Sequence, residues 1–194
     1  FFKFRGVSAH AASAPHLGRS ALDACELMNV GVNYLREHMK SSDRIHYAYI
    51  NAGGKAPNVV QSEAVLKYFV RSATNPECEE LYQRVINCAK GAALMTGSEV
   101  EVIFDEGLSN QVPNFVLEDV LDKSFKKLYK NDYTDEELAY AASFKETYDI
   151  NNSLSDLPQF VKDRNRLITN IKERVINDYY VETLHSDICD MDST

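Results

Sequence analysis

The sequence predicts an α+β protein: a ferredoxin-like β-α-β-β-α-β domain, with a four-stranded antiparallel sheet and two helices on one face, followed by a helical C-terminal segment. Two observations predict it. In residues 1–107, segments with apolar residues at every second position alternate with segments in which they recur every three or four. Capping and turn residues separate these segments. Six elements in this order match the split βαβ arrangement.

Four segments have the composition or alternation of strands. The first places Phe2, Phe4 and Gly6 on one face and runs towards His10. The others are residues 44–50, residues 63–72 and the alternating Val100, Val102 and Phe104. In this topology the second and fourth strands lie at the sheet edges, which have to be covered, charged or paired.

Two helices connect these strands. Ser20 and Asp23 have capping-box spacing, which predicts a helix from there to about Met39. Asn75 as N-cap and Pro76 in the first turn predict a second helix that ends at Gly97. The apolar stripe of the second helix consists of Leu81, Val85, Cys88, Ala92 and Met95.

The first helix has two apolar stripes, whereas a helix that rests on a sheet needs one. One stripe consists of Leu22, Cys25, Met28, Val32, Leu35 and Met39. The other consists of Ala24, Leu27, Gly31, Tyr34 and His38. We interpret the second stripe as a surface for a partner; the alternative is that residues 108–194 of the same chain cover it.

Helical periodicity with polar breaks continues beyond Gly107. We expect helices over residues 114–130 and from the Thr134 capping box to about Tyr148, then a linker over residues 151–158. A further helix is predicted by Phe160, Arg164, Leu167, Ile168, Ile171, Val175 and Tyr179. The expected domains are therefore 1–107 and 108–194. Because the chain starts without Met inside strand sequence, we expect it to be part of a longer protein.

Composition excludes several classes of function. With 21 Lys and Arg against 29 Asp and Glu, the net charge is -8, which argues against nucleic acid as a partner. No apolar run approaches the ~20 residues that span a bilayer, so we expect no membrane association and a cytoplasmic location. The four cysteines have no CxxC spacing, and Cys78 and Cys88 would lie about 15 Å apart on one helix, so we expect reduced thiols.

No complete active site is evident from motifs: HExxH, Gly-rich phosphate loops and GxSxG are absent, and His185-Ser186-Asp187 lacks further metal ligands. Three other residues are candidates. His10 follows the first strand in a turn-prone stretch, Asn58 lies in the loop after Gly53-Gly54, and Arg71 ends the third strand. An exposed or structural His, a turn Asn and an Arg at a sheet end are the functionless alternatives. A guanidinium beside a loop amide can also bind a carboxylate.

Several motifs together resemble one family. They are Gly6-Val7-Ser8-Ala9-His10-Ala11-Ala12, Gly18-Arg19-Ser20-Ala21-Leu22-Asp23-Ala24, Arg36-Glu37-His38, Gly53-Gly54-Lys55-Ala56-Pro57-Asn58-Val59-Val60 and Gly91-Ala92-Ala93-Leu94-Met95-Thr96-Gly97. In this order they resemble the dimerisation (lid) domain of M20 metallopeptidases and amidohydrolases, in the branch of aminobenzoyl-glutamate hydrolase B subunits. The resemblance is dense over residues 1–107 and looser beyond.

The resemblance implies specific roles. His10 matches the histidine that crosses the dimer interface to stabilise an oxyanion in the neighbouring subunit's site, and Asn58 and Arg71 match a substrate-binding pair, with Arg71 on the substrate carboxylate. It also implies a homodimer formed by the first helix and the edge of the second strand. The two divalent metals, zinc or manganese, would belong to the catalytic domain of a parent enzyme, with none in this segment, which alone should be inactive on small-molecule amides.

Two other interpretations share the predicted topology. A stand-alone ligand-sensing regulatory domain is the alternative, because fold does not fix function. An RNA-recognition domain is disfavoured by the acidic balance and by the lack of an aromatic RNP-like pattern.

Overall fold

A computed structural model describes residues 1–110, 114–128, 132–147 and 189–193. The chain divides into two compact units. The first comprises Phe1–Val112 with His185–Thr194, and the second comprises Pro113–Leu184.

The first unit is a sheet with two helices. Its strands are β1 (Phe2–Arg5), β2 (Arg44–Asn51), β3 (Glu63–Ser72), β4 (Glu99–Val102), β5 (Glu106–Leu108) and β6 (Cys189–Ser193). Its helices are α1 (Ala21–Leu35) and α2 (Asn75–Thr96). Single 3₁₀ turns cover Pro15–Leu17 and Arg36–His38.

The principal sheet has four antiparallel strands in the order β4-β1-β3-β2. This confirms the prediction of a four-stranded antiparallel sheet combined with helices. β3 is central: β2 pairs along one edge of β3, while β1 and β6 pair with successive halves of the other edge. Among the described strands, β2 pairs with β3 alone and therefore lies at an edge, as predicted.

The sequence patterns did not predict β5 and β6. β6 pairs with β3 through Tyr68–Ser72 and with all three residues of β5. Its sequence, Cys-Asp-Met-Asp-Ser, is poor in strand-forming residues, but the half of the β3 edge beyond β1 offers backbone donors and acceptors. Backbone pairing rather than propensity therefore defines this strand.

The core lies between one face of the sheet and both helices. Alternate residues of β1 and β3 are fully buried there: Phe2, Phe4, Ala64, Leu66, Tyr68 and Val70. The Phe2 and Tyr68 rings pack edge to face with centroids 5.5 Å apart. The period of two in the sequence thus corresponds to an inner and an outer face.

Helix ends follow the sequence with two corrections. Ser20 caps α1 by accepting from the Asp23 N–H, as predicted, but α1 ends at Leu35 and the 3₁₀ turn replaces its predicted last turn. The N-cap of α2 is Thr74, not Asn75. Thr74 has the extended backbone of an N-cap, whereas the Asn75 amide donates to Ser109 Oγ.

The predicted stripes are partly correct. On α2, Leu81, Val85 and Ala92 are buried, but Met95, in the last turn, is 67% exposed. On α1, Ala24 of the second stripe is buried and Gly31 lies against Cys88 of α2. Leu27, Tyr34 and His38 remain exposed, so the outward part of this stripe is smaller than predicted.

The second unit contains α3 (Phe115–Leu128) and α4 (Asp135–Lys145), both predicted. The capping box at the start of α4 is present, with Thr134 and Glu137 bonded reciprocally. The predicted linker over 151–158, the helix over 160–179 and the motif at His185 lie outside the described residues. In the parts that are described, no helix has both the length and the apolar character needed to cross a membrane.

Candidate functional site

His10 lies in a loop that the backbone attaches to the segment before β3. The Ala11 N–H donates to the Asn58 carbonyl at 2.9 Å, and the Val60 N–H donates to the Ala9 carbonyl at 2.9 Å. His10 and Val59 form an isolated antiparallel bridge. Two residues distant in sequence, His10 and Asn58, are therefore neighbours, and both are exposed.

Glycines allow the two ends of this loop to meet. Val7 and Arg19 exchange backbone hydrogen bonds of 2.8 and 2.9 Å. A Cβ on Gly6 would lie 1.9 Å from the Arg19 carbonyl oxygen, a distance that no side chain can adopt. Gly18 similarly packs against the Val60 side chain. The loop thus depends on a close backbone approach at Gly6, which only glycine permits.

The His10 ring is itself held by the loop. The N–H groups of Ala12 and Ser13 both donate to His10 Nδ1, at 3.3 and 3.2 Å. The turn is closed separately by the Ala14 N–H, which donates to the His10 carbonyl at 2.9 Å. The turn therefore holds the ring at Nδ1, and Nε2 lies on the other side of this exposed ring.

Asn58 lies in a loop whose shape depends on two glycines. Gly53 and Gly54 have φ of +89° and +114°, and the Gly53 N–H donates to Asn51 Oδ1 at 2.9 Å. A Cβ on Gly53 would lie 2.5 Å from the Gln61 side chain. The Asn58 carbonyl supports the His10 loop, and its exposed side chain is available to a ligand.

Arg71 lies at the opposite end of β3. Arg5 of β1 is level with Glu63, so the His10 loop follows the beginning of β3, and Arg71 is eight residues further along. At about 3.3 Å per residue this separation is roughly 26 Å. The structure therefore brings His10 and Asn58 together and leaves Arg71 of the same chain far from both.

The surroundings of Arg71 are partly cationic. Arg44 is its register partner on β2, but the Arg44 guanidinium donates to the carbonyls of Ser41 and Asp43 at 2.5 and 2.7 Å. On the other edge, Asp190 of β6 is the register partner of Arg71. Arg71 is half-buried at this end of the sheet.

A second surface combines α1 with β2. We call the exposed side chains Leu27, Val30, Tyr34, Tyr47 and Tyr49 the α1–β2 surface. Arg36 Nη2 donates to the Ile45 carbonyl at 2.8 Å and Tyr49 donates to Glu26, so the helix and the strand are directly joined. Tyr34 is 66% exposed, the largest apolar exposure on this surface.

A polar network joins Tyr49 of the α1–β2 surface to the buried residues Asn29 and Tyr68. The sequence patterns did not reveal it. Tyr68 donates to Asn29 Oδ1 at 2.5 Å, and Asn29 Nδ2 donates to the Tyr49 hydroxyl at 3.3 Å. Burial raises the pKa of Tyr68 and of Tyr49 well above the usual tyrosine value, and the bond to Glu26 raises the Tyr49 pKa further. The only sequence signal is that Asn29 directly follows Met28 of the buried stripe.

Among the described residues there is neither a disulfide nor a group of metal ligands. Cys25, Cys78 and Cys88 are thiols that form no disulfide, and Cys78 Sγ donates to the Val70 carbonyl at 3.3 Å. Burial raises the pKa of Cys25 to about 12, with a smaller contribution from Glu26. Within the described parts of the chain, no three His, Cys, Asp or Glu side chains are grouped so that they could hold a metal ion.

Comparison with known proteins identifies relatives. The B subunit of p-aminobenzoyl-glutamate hydrolase from Escherichia coli K12 is 42% identical over 159 residues, which are 80% of this chain and 33% of that protein. The Xaa-Arg dipeptidase of Mus musculus is 34% identical over 127 residues, 65% of this chain and 29% of that protein. The chain thus spans about a third of the length of these curated relatives.

A solved structure and a family model agree with these relatives. The fold is similar to that of an aminobenzoyl-glutamate utilization protein from Klebsiella pneumoniae, with a TM-score of 0.53 and 24% identity over 66% of this chain and 32% of that one. Residues 2–94 match the family model described as the peptidase dimerisation domain, M20 type. The first unit of this chain therefore contains a peptidase dimerisation domain of the M20 type, the family that its sequence motifs resemble.

Proposed function

We propose that this chain is the dimerisation and substrate-binding lid segment of a metal-dependent amidohydrolase that cleaves the amide bond of an N-acyl amino acid such as aminobenzoyl-glutamate. The observation that carries the proposal is the 42% identity to the B subunit of p-aminobenzoyl-glutamate hydrolase, together with the dimerisation domain over residues 2–94. The second relative is named a dipeptidase, which also hydrolyses an amide bond.

We assign the lid to residues 1–107, as a ferredoxin-like domain, and residues 108–194 to a helical extension that leads back towards a catalytic domain. Two divalent metals, zinc or manganese, would be held by that catalytic domain and would activate water for the reaction. Because no metal-ligand group occurs among the described residues, no step of the reaction is assigned to a metal on this chain. The reduced thiols of Cys25 and Cys88 support a cytoplasmic parent enzyme.

His10 is the proposed oxyanion-stabilising residue. Attack of water on an amide carbonyl develops negative charge on the carbonyl oxygen, and a hydrogen-bond donor aimed at that oxygen lowers the barrier. His10 is exposed, carried on a backbone-anchored loop, and has Nε2 directed away from its own turn contacts. These features suit a donor that enters a site when a lid closes and water is excluded.

Arg71 and Asn58 are the proposed substrate-binding residues, with Arg71 on the carboxylate. The His10 loop follows β1 beside Glu63, and β3 runs about 26 Å from Glu63 to Arg71, which exceeds the length of a dipeptide-sized substrate. We therefore infer that a substrate contacts Arg71 of one chain and His10 of another. Asn58 would come from the same chain as His10, because the Ala11 N–H next to His10 donates to the Asn58 carbonyl. This separation supports a site shared between subunits, with His10 supplied by the partner.

The proposed homodimer forms through the α1–β2 surface. Edge strands with exposed backbone groups invite pairing, and β2 carries exposed aromatic residues beside Leu27, Val30 and Tyr34 of α1. A two-fold contact along β2 would join two four-stranded sheets and cover the outward part of the second stripe.

The first experiment is substitution of His10 in the parent enzyme. His10→Ala should lower kcat by about 10²-fold or more, with a smaller effect on KM, since an oxyanion donor acts in the transition state. His16→Ala, a change of an exposed histidine in the same loop, is the control and should leave kcat unchanged. An unchanged kcat in His10→Ala would remove His10 from the site.

The isolated chain should hydrolyse no amide, even with added zinc or manganese. An amidase assay that detected turnover would contradict the assignment as a lid. The alternative, a stand-alone ligand-sensing domain, predicts that free amino acids raise the melting temperature of this chain. A lid segment without its catalytic half should show no such shift.

A further inference from the structure

The turn after His10 places two backbone N–H groups beside one nitrogen of its ring. Nδ1 accepts hydrogen bonds from the N–H groups of Ala12 and Ser13, at 3.3 and 3.2 Å. A nitrogen that accepts from two donors cannot itself carry a hydrogen. In a neutral imidazole one nitrogen is the donor and the other the acceptor, so the proton lies on Nε2.

These donors are held in place independently of the ring. The Ala14 N–H donates to the His10 carbonyl at 2.9 Å, which closes the turn, and the Ala11 N–H is bound to the Asn58 carbonyl. Both amides therefore point at Nδ1 because of backbone contacts. By contrast, within the described residues no hydrogen bond joins a backbone N–H to the ring of exposed His16.

We propose that the Ala11–Ser13 turn fixes His10 as the Nε2–H tautomer and so makes Nε2 the sole donor that a neutral His10 ring presents to a ligand oxygen. Ala12 and Ser13 are positioning residues that act through their main-chain N–H groups. The claim about the tautomer rests on contacts within this chain alone. The claim that the donor meets a substrate oxyanion rests on the proposed function.

The chemical consequence is a donor prepared before substrate arrives. Without such contacts a histidine ring exchanges between two tautomers, and only one of them offers N–H at Nε2. With Nδ1 committed to the turn, no rearrangement of the ring proton is needed when negative charge develops nearby. In other sites a carbonyl or carboxylate accepts a hydrogen bond from Nδ1–H and so orients the ring. Here two N–H groups donate to Nδ1 instead, which favours the opposite tautomer.

The test is nitrogen NMR of the full chain labelled in its histidine rings, at a pH where the rings are neutral. His10→Gln identifies the His10 signals by their loss. We expect His10 to show one tautomer, with Nδ1 unprotonated, whereas His16 shows a mixture. Exchange of the Ala12 and Ser13 amide protons should become faster in His10→Ala.

Matched variants test the donors themselves. Ser13→Pro removes one N–H and should allow the Nδ1–H tautomer to be populated, while Ser13→Ala keeps the N–H and should behave as wild type. Ala12→Pro is the second variant should the first not fold. The proposal is overturned if wild-type His10 shows the same mixture as His16, or if removal of a donor leaves its tautomer unchanged. Either result is independent of the effect of His10→Ala on kcat, so the two proposals can fail separately.

Discussion

At the scale of single residues, His10 can be replaced by amides that imitate one ring nitrogen at a time. The Gln amide nitrogen reaches the position of Nε2, whereas the Asn amide nitrogen lies near that of Nδ1. If Nε2–H is the donor, His10→Gln in the parent enzyme should retain part of the kcat. His10→Asn should fall to the level of His10→Ala, about 10²-fold below wild type. Equal kcat values for the Gln and Asn variants would contradict this assignment.

Cys25 makes stability depend on pH in the alkaline range. Its pKa is raised to about 12 by burial, against about 8.5 for an exposed thiol in the unfolded chain. The unfolded state therefore loses a proton first, and this contribution to stability is complete below about pH 8.5 and is lost as pH rises towards 12. Urea unfolding between pH 8 and 11 gives the free energy of unfolding at each pH, and its decrease with rising pH should be smaller for Cys25→Ala than for wild type. The control Met28→Leu, at another buried α1 position, should show the same decrease with pH as wild type.

The residues of the candidate site were predictable in type but not in arrangement. His10 and Asn58 could be chosen from motif and loop position, and the backbone bond between Ala11 and Asn58 joins their loops. Their separation from Arg71 depends on the register of β1 on β3, which we could not infer from the sequence patterns. The Nδ1 contacts of His10 depend on turn geometry, and the pairing of Asn29 with Tyr68 depends on helix placement.

At the scale of elements, a glycine inside α2 and the glycine that follows it should respond in opposite directions to the same change. Gly97 ends the helix with φ +66°, and a Cβ there would lie 3.1 Å from Arg19 Nε. Gly97→Ala should destabilise the chain by about 1–2 kcal/mol. Gly91 lies inside the helix with open space around a Cβ, so Gly91→Ala should stabilise it by about 0.5–1 kcal/mol. Urea unfolding of both variants measures the difference, and a shared sign would refute this explanation.

Most elements of the first unit were predictable because local pattern and tertiary burial agree. The predicted bounds of β3 are those observed, since successive residues alternate between half-buried and buried along all ten positions. β6 was missed because its pairing depends on the β3 edge rather than on its own residues. The N-cap of α2 was misplaced by one residue because Asn75 and Thr74 are both capping types. The extended backbone of Thr74 and the contact of Asn75 with Ser109 distinguish them in the structure.

At the scale of the whole molecule, the α1–β2 surface should control association. Tyr34→Glu places a charge where the side chain is 66% exposed in one chain, so folding is little affected but a two-fold apolar contact would be disrupted. Light scattering should then give the mass of a dimer for wild type and that of a monomer for the variant. Met95→Glu, at an apolar residue of α2 that is 67% exposed, is the control and should remain dimeric. A dimeric Tyr34→Glu variant would place the contact elsewhere.

The separation of His10 from Arg71 yields a test of the shared site itself. His10→Ala and Arg71→Ala parent enzymes should each be nearly inactive. In a mixture that exchanges subunits, half of the dimers carry one variant of each kind. If each site takes His10 from one chain and Arg71 from the other, one of the two sites in such a dimer has both residues intact, so activity should recover to about a quarter of wild type. If both residues act within one chain, every site lacks one of them and no recovery occurs. Two His10→Ala preparations mixed in the same way are the control. Recovery would also require that the loop carrying His10 reach across the α1–β2 contact into the site of the other chain. The activity of His10 would then depend on the two-fold dimer.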